Sequence, residues 1–170
     1  MLDDFSRYIV IWRLAPTMTS ADVKATLDQA VERTGIAHIK VEHCPRQLSD
    51  NGSAFVSDEL AHYLAMHHLP HVRDAPYHPQ TPSKIERYHH SMKSIVNLEN
   101  FYFPWELQHT IASFVDYYNH HRHYESLGNV TPADMYLGRA QVVQTRGERI
   151  KQQTLLARRQ KSLSPGIHRM

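Results

Sequence analysis

Cysteine is nearly absent. Cys44 stands alone in 170 residues, so no internal disulfide framework can form, and a reducing, cytoplasmic setting fits the chain. Long apolar runs are missing as well. No stretch of eighteen apolar residues and no basic-then-apolar leader occurs, which offers neither a membrane span nor a secretion signal. Internal repeats are lacking too. The length suggests one domain with room for an appendage, and 21% charged residues is ordinary for a globular chain.

What is present is unevenly placed. From Arg139 onward there are eight Lys or Arg and one acid, Glu148, giving +7; the net charge of +2 leaves −5 for the rest. A basic tail on an acidic body suits binding to a polyanion, and equally describes a solvated tail. Fourteen histidines are the other excess. His62, His67, His68 and His71 lie close in sequence, as do His120, His121 and His123. Pro70 interrupts any helix shared by His67 and His71, and no cysteine pair completes a zinc set, so ordinary surface or core histidines are the expectation.

Periodicity predicts alternating strands and helices. "SRYIVIWRL" reads as a strand. A helix follows in "TSADVKATLDQAVERTG", with Thr19 and Asp22 as a capping box, Val23, Leu27, Ala30 and Val31 as its stripe, and Gly35 as its stop. "AHIKVEHCPRQLSD" holds one or two short strand runs. "SDELAHYLAMHH" is a second helix capped by Ser57, "HVRDA" a brief strand, and "PYHPQTPS" a loop. Helices are expected from about Lys84 to Asn97 and again after Pro104, the latter with aromatic residues of "FYFPWEL" packed into the core. This order points to an α/β domain with parallel pairing, in which strand-end carboxylates project where ligands bind.

Two acids stand out in that frame. Asp50 ends a strand in "LSDNGSAF", and Glu86 lies in the first turn of a helix, with thirty-five residues between the two. Carboxylates so placed can converge on a hard divalent cation. The helix of Glu86 shows two faces. Ile85, Tyr88, Met92 and Ile95 form an apolar one, while Glu86, His90, Lys93 and Asn97 form a polar line that could track a phosphate backbone or simply face solvent. Lys84 and Arg87, flanking Glu86, join His90 and Lys93 as candidate DNA contacts.

The segments "LDDFSRYIV", "LSDNGSAF", "HPQTPSKIERYHHSMK" and "YYNHHRHYESLGNVTPADMY" together resemble the integrase catalytic core of bacterial insertion-sequence (DDE-type) transposases, in the retroviral integrase superfamily. The likeness runs in order over about 1–139 and keeps that family's spacing between Asp50 and Glu86. It implies a ribonuclease H-like mixed sheet flanked by helices over 1–139, followed by a basic tail, partly helical or disordered, over 140–170. It also implies a polynucleotidyl transferase using Mg²⁺ or Mn²⁺, acting as an oligomer on mobile-element ends and target DNA, with no membrane partner. Asp50 matches the second aspartate and Glu86 the glutamate of an acidic triad, and Lys93 a position that approaches the DNA end. Asp3 and Asp4 match a turn rather than the first ligand. The expectation is therefore a core lacking its first strand, most of its second and one carboxylate, hence impaired as an enzyme. The alternative is a non-catalytic protein that binds DNA or a transposase. A further departure is Pro82, which stands in "TPSKIE" where relatives carry a more permissive loop, and which predicts slow engagement of DNA.

Overall fold

The computed structural model describes residues 1–36, 44–73 and 83–163. They form α1 (Ser20–Thr34), β1 (Gln47–Ser49), α2 (Ser53–Val56), α3 (Asp58–Met66), β2 (His71–Arg73), α4 (Ser83–Val96), α5 (Pro104–His120), α6 (Pro132–Tyr136) and α7 (Ala140–Leu163). Two compact units divide the chain at 115/116.

Local chemistry explains the helices of the first unit. Thr19 Oγ1 accepts the Asp22 amide while the Asp22 carboxylate accepts the Thr19 amide, and Gly35 closes α1 at φ 68°. Ser57 Oγ accepts the Leu60 amide to start α3. Leu27 of α1 then meets Leu60 and Leu64 of α3 and Leu69 beyond it, with Val23, Val31, Phe55 and Tyr63 packed around them. Polar contacts cross the same seam. Lys24 Nζ lies 2.9 Å from Glu59 Oε1, and the Tyr63 hydroxyl donates to Asp28. Burial and the Asp28 carboxylate hold that hydroxyl's pKa above the ordinary tyrosine value.

Between β1 and β2 the chain passes through α2 and α3, and the strands pair in parallel, Gln47 opposite His71 and Ser49 opposite Arg73. This is the crossover that parallel pairing demands. Among the described residues they are the named strands; the run 37–43, expected to hold strand, and the loop 74–82, which includes Pro82, lie outside the described residues.

"SRYIVIWRL" departs from the expected strand. It is the second arm of a tight antiparallel hairpin with a single bridge, Leu2 to Ile9, closed by Asp3 N–H donating to the Tyr8 carbonyl at 2.8 Å. Strand assignment requires a ladder, and composition alone cannot supply its partner. Asp3 and Asp4 do occupy the turn, as the resemblance implied. Asp3 Oδ2 accepts from the Ser6 amide at 2.8 Å and from Ser6 Oγ at 2.5 Å, and Arg7 takes φ 63° to complete it.

A second correction concerns "FYFPWEL". Tyr102, Phe103 and Trp105 are exposed, Tyr102 at 83%. Their backbone explains the placement. The Tyr102 and Phe103 amides both donate to the Glu106 carboxylate, capping α5, and the Phe103 ring stacks on Trp105 with centroids 6.4 Å apart. The core contribution of α5 to the first unit comes about two to three turns later, from Ile111, Phe114 and Val115, with Phe114 against Tyr88 of α4.

The second unit is built around Val130, Ala133, Leu127 and Tyr118, all buried. The Arg122 guanidinium lies 5.8 Å from the Tyr118 ring centroid and 5.0 Å from that of Tyr124. Thr131 caps α6 by accepting the Asp134 amide. The tail, which shows little periodicity, is one 24-residue helix, α7, exposed on every side from Thr145 to Ser162. No helix among the described residues is long and apolar enough to cross a membrane.

Candidate active site

Asp50 follows β1 directly, at the carboxyl end of the parallel pair. Its Oδ1 accepts the Gly52 amide at 2.9 Å, an Asx turn that ties the carboxylate to the chain just beyond the strand. A Cβ added at Gly52 would come within 3.0 Å of the same oxygen, so the absence of a side chain there keeps the carboxylate uncrowded. Asp50 is exposed, and among the described residues no cation engages it.

A relay behind Asp50 escaped the sequence reading. Ser49 Oγ donates to the Asp50 carbonyl at 2.9 Å and lies 2.8 Å from His71 Nε2 on β2. The hydroxyl has one proton, so His71 must donate through Nε2 to the same oxygen. The signal lies in the pairing: Gln47 is opposite His71, and Ser49, two residues on, shares its face.

Burial, with Arg73 adding to it, lowers the His71 pKa below the ordinary 6.5. A depressed histidine resists protonation in the folded state. Between that folded pKa and the unfolded value, the unfolded chain binds the extra proton, so stability falls as pH drops below about 6.5 and levels off beneath the folded value. Urea midpoints at pH 7.5 and 5.5 should therefore show a smaller acid loss in His71→Asn than in the unsubstituted chain.

Glu86 lies in the first turn of α4, where the helix dipole favours a carboxylate. It is exposed, and among the described residues nothing hydrogen-bonds or ion-pairs with it. The two faces expected of α4 are real. Tyr88 is buried, with its hydroxyl pKa pushed up to about 12 by desolvation, and Ile85 and Met92 are half-buried, while Glu86, His90, Lys93 and Asn97 are all exposed. Ile95 is the exception on the apolar face, 38% exposed near the helix end. Arg87 is exposed. Lys84 is already engaged: its Nζ donates to the Asp4 carbonyl at 2.7 Å and to Asp4 Oδ2 at 2.8 Å.

Asp50 and Glu86 suit a hard cation by donor type, each offering carboxylate oxygen that no basic side chain neutralises among the described residues. No group of three or more His, Cys, Asp or Glu gathers to hold a metal among the described residues. Among the described histidines, His67 lies against the Tyr63 ring and His123 Nδ1 lies 3.1 Å from the His121 carbonyl oxygen.

Comparison with known proteins bears on the family and the fold. Two integrase core domain families match, one over residues 1–79 and one over residues 67–132. The chain is 25% identical over 148 residues to a Mycobacterium tuberculosis protein named as a transposase for insertion sequence element IS986/IS6110, covering 78% of this chain and 49% of that protein. It is 36% identical over 83 residues to the Pro-Pol polyprotein of feline foamy virus, covering 49% of this chain and 7% of the polyprotein. The chain thus spans about half of the transposase and a small part of the polyprotein.

Solved structures agree on the fold. The simian T-cell lymphotropic virus intasome in complex with a PP2A regulatory subunit matches with TM-score 0.62 at 20% identity, over 78% of this chain and 45% of that one. The catalytic core domain of HTLV-2 integrase, solved in complex with magnesium, matches with TM-score 0.57 at 19% identity, over 78% and 79% of the two chains. The fold is that of the ribonuclease H-like integrase cores. Two integrase core domain models, together spanning residues 1–132, and the likeness to the transposase support the integrase and transposase catalytic-core superfamily for this chain.

Proposed function

We propose that this chain is a cytoplasmic DNA-transposition core in which Asp50 and Glu86 share Mg²⁺ or Mn²⁺ and the exposed face of α4 follows the DNA. The observation that carries the reading is the pair of exposed carboxylates, neither ion-paired among the described residues, one at the carboxyl end of a parallel strand and one opening α4. When bound, the metal would supply a nucleophile of lowered pKa and charge stabilisation at the leaving oxygen. The protein's part is positional. The Asx turn orients Asp50, the first turn of α4 presents Glu86, and Arg87, His90 and Lys93 continue along exposed positions of that helix as donors to phosphate. Lys84 is the remaining candidate contact, with its ammonium shared with Asp4. The family's oligomeric DNA complexes, over element ends and target DNA, are the proposed setting.

A second reading, a non-catalytic protein that binds DNA or a transposase, is favoured by α7, which exposes Arg146, Arg149, Lys151, Arg158, Arg159 and Lys161.

Duplex binding measured across a salt series separates the two. Lys93→Ala and Arg87→Ala should each reduce the slope of log affinity against log salt by about one if α4 lies on phosphate. Slopes unchanged in both, with a large drop on neutralising Arg158 and Arg159, would favour the second reading.

A further inference from the structure

We infer that Asp4, acting through Lys84, is a positioning residue for Glu86: the turn between Asp3 and Tyr8 anchors the first turn of α4. This deepens the proposed site and rests on that reading of Glu86. One ammonium makes both contacts, to the carbonyl and the carboxylate of Asp4, and joins residues eighty apart in sequence. The anchor is itself held. Asp3 fixes the turn through the Ser6 amide and hydroxyl, the Arg7 amide donates to the Asp3 carbonyl at 2.8 Å, and Ser6 is fully buried. The turn therefore keeps its shape without Lys84, and Lys84 borrows that shape.

Lys84 precedes Glu86 by two residues within the same turn of helix. Restraining its side chain on a fixed turn restrains where the opening of α4 lies, and with it the backbone that carries Glu86. As a source of stability the pair is minor, since the Asp4 and Lys84 side chains are 58% and 32% exposed and solvent screens them. Placement is the larger consequence. The contact also makes Lys84 a poor phosphate ligand, because a phosphate would have to displace two acceptors already in hydrogen-bond range.

The test uses the full chain with Asp4→Asn, Lys84→Met and the double substitution. Mn²⁺ affinity is read by water-proton relaxation, and amide exchange is read over Arg87 to His90, whose N–H groups bond back into the first turn. Each single substitution should weaken Mn²⁺ binding about three- to tenfold, below the roughly 10- to 100-fold seen when groups that orient metal ligands are removed from buried sites. The double should be no weaker than the worse single. Exchange at those amides should quicken about two- to fivefold. Affinity and exchange unchanged in both singles would overturn the inference. So would a Lys84→Met chain that loses duplex affinity while keeping its Mn²⁺ affinity and exchange rates, which would make Lys84 a DNA contact. Should the unsubstituted chain show no Mn²⁺ binding that Asp50→Asn removes, the reading of the site fails separately. The exchange rates then decide the anchor alone, quickened rates supporting it and unchanged rates overturning it.

Discussion

Asp50→Asn is expected to weaken Mn²⁺ binding by about tenfold or more, Glu86→Gln by a similar factor, and neither to shift the urea midpoint appreciably. Each replacement removes one anionic oxygen donor from a cation that prefers such donors, and outer-sphere water cannot replace the lost charge. Both carboxylates are exposed, so neither supports the core, and substitutions of this kind usually change stability by within about 0.5 kcal/mol. The double substitution should bind more weakly than either single, because each single leaves the other carboxylate on the ion. A metal held instead by His62, His67, His68 and His71 would leave both variants at full affinity. Titration of the full chain by water-proton relaxation, paired with urea unfolding, reads both quantities.

Leu60→Ala is the second large effect, and it acts on stability. Leu60 is 1% exposed and lies in the cluster that joins α1 to α3 and leads into β2. Truncation removes the transfer energy of the lost methyl groups and leaves a cavity that Leu27, Leu64 and Leu69 can only partly fill. The expected cost is about 2–5 kcal/mol. Against a total of roughly 5–15 kcal/mol for a domain, that is enough to populate unfolded chain at physiological temperature. Leu98→Ala, at a leucine 84% exposed, should cost less than about 0.5 kcal/mol and serves as the comparison in the same unfolding assay. Equal midpoints for the two variants would contradict the packing described for the first unit.

Those two predictions also mark what the sequence makes legible. Leu60 and Leu64 are recognisable as core because an amphipathic helix buries one stripe, and the Thr19–Asp22 and Ser57 caps announce where α1 and α3 begin. Asp50 and Glu86 stand out as candidates because their neighbours carry a pattern resembling a known family. The polar line on α4 follows from helical spacing alone. Long-range pairing is different. Nothing in "LDDFSRYIV" indicates that Asp4 will meet Lys84, and nothing in "LSD" indicates His71, since both contacts are made by topology. Tyr117 shows the same limit on a smaller scale: it adjoins buried Tyr118 in sequence, yet it is exposed and lies over His121. For α7 the weak pattern is itself the physics. A helix exposed on every side has no stripe to display, so its periodicity gives no sign of its length.

The account depends most on two acids from distant parts of the chain meeting at one ion. Anomalous diffraction from crystals soaked in Mn²⁺ tests this directly. The prediction is a manganese peak with carboxylate oxygens of both Asp50 and Glu86 at bonding distance. A peak coordinated by only one of them, or carboxylates turned apart with no metal between, would contradict it.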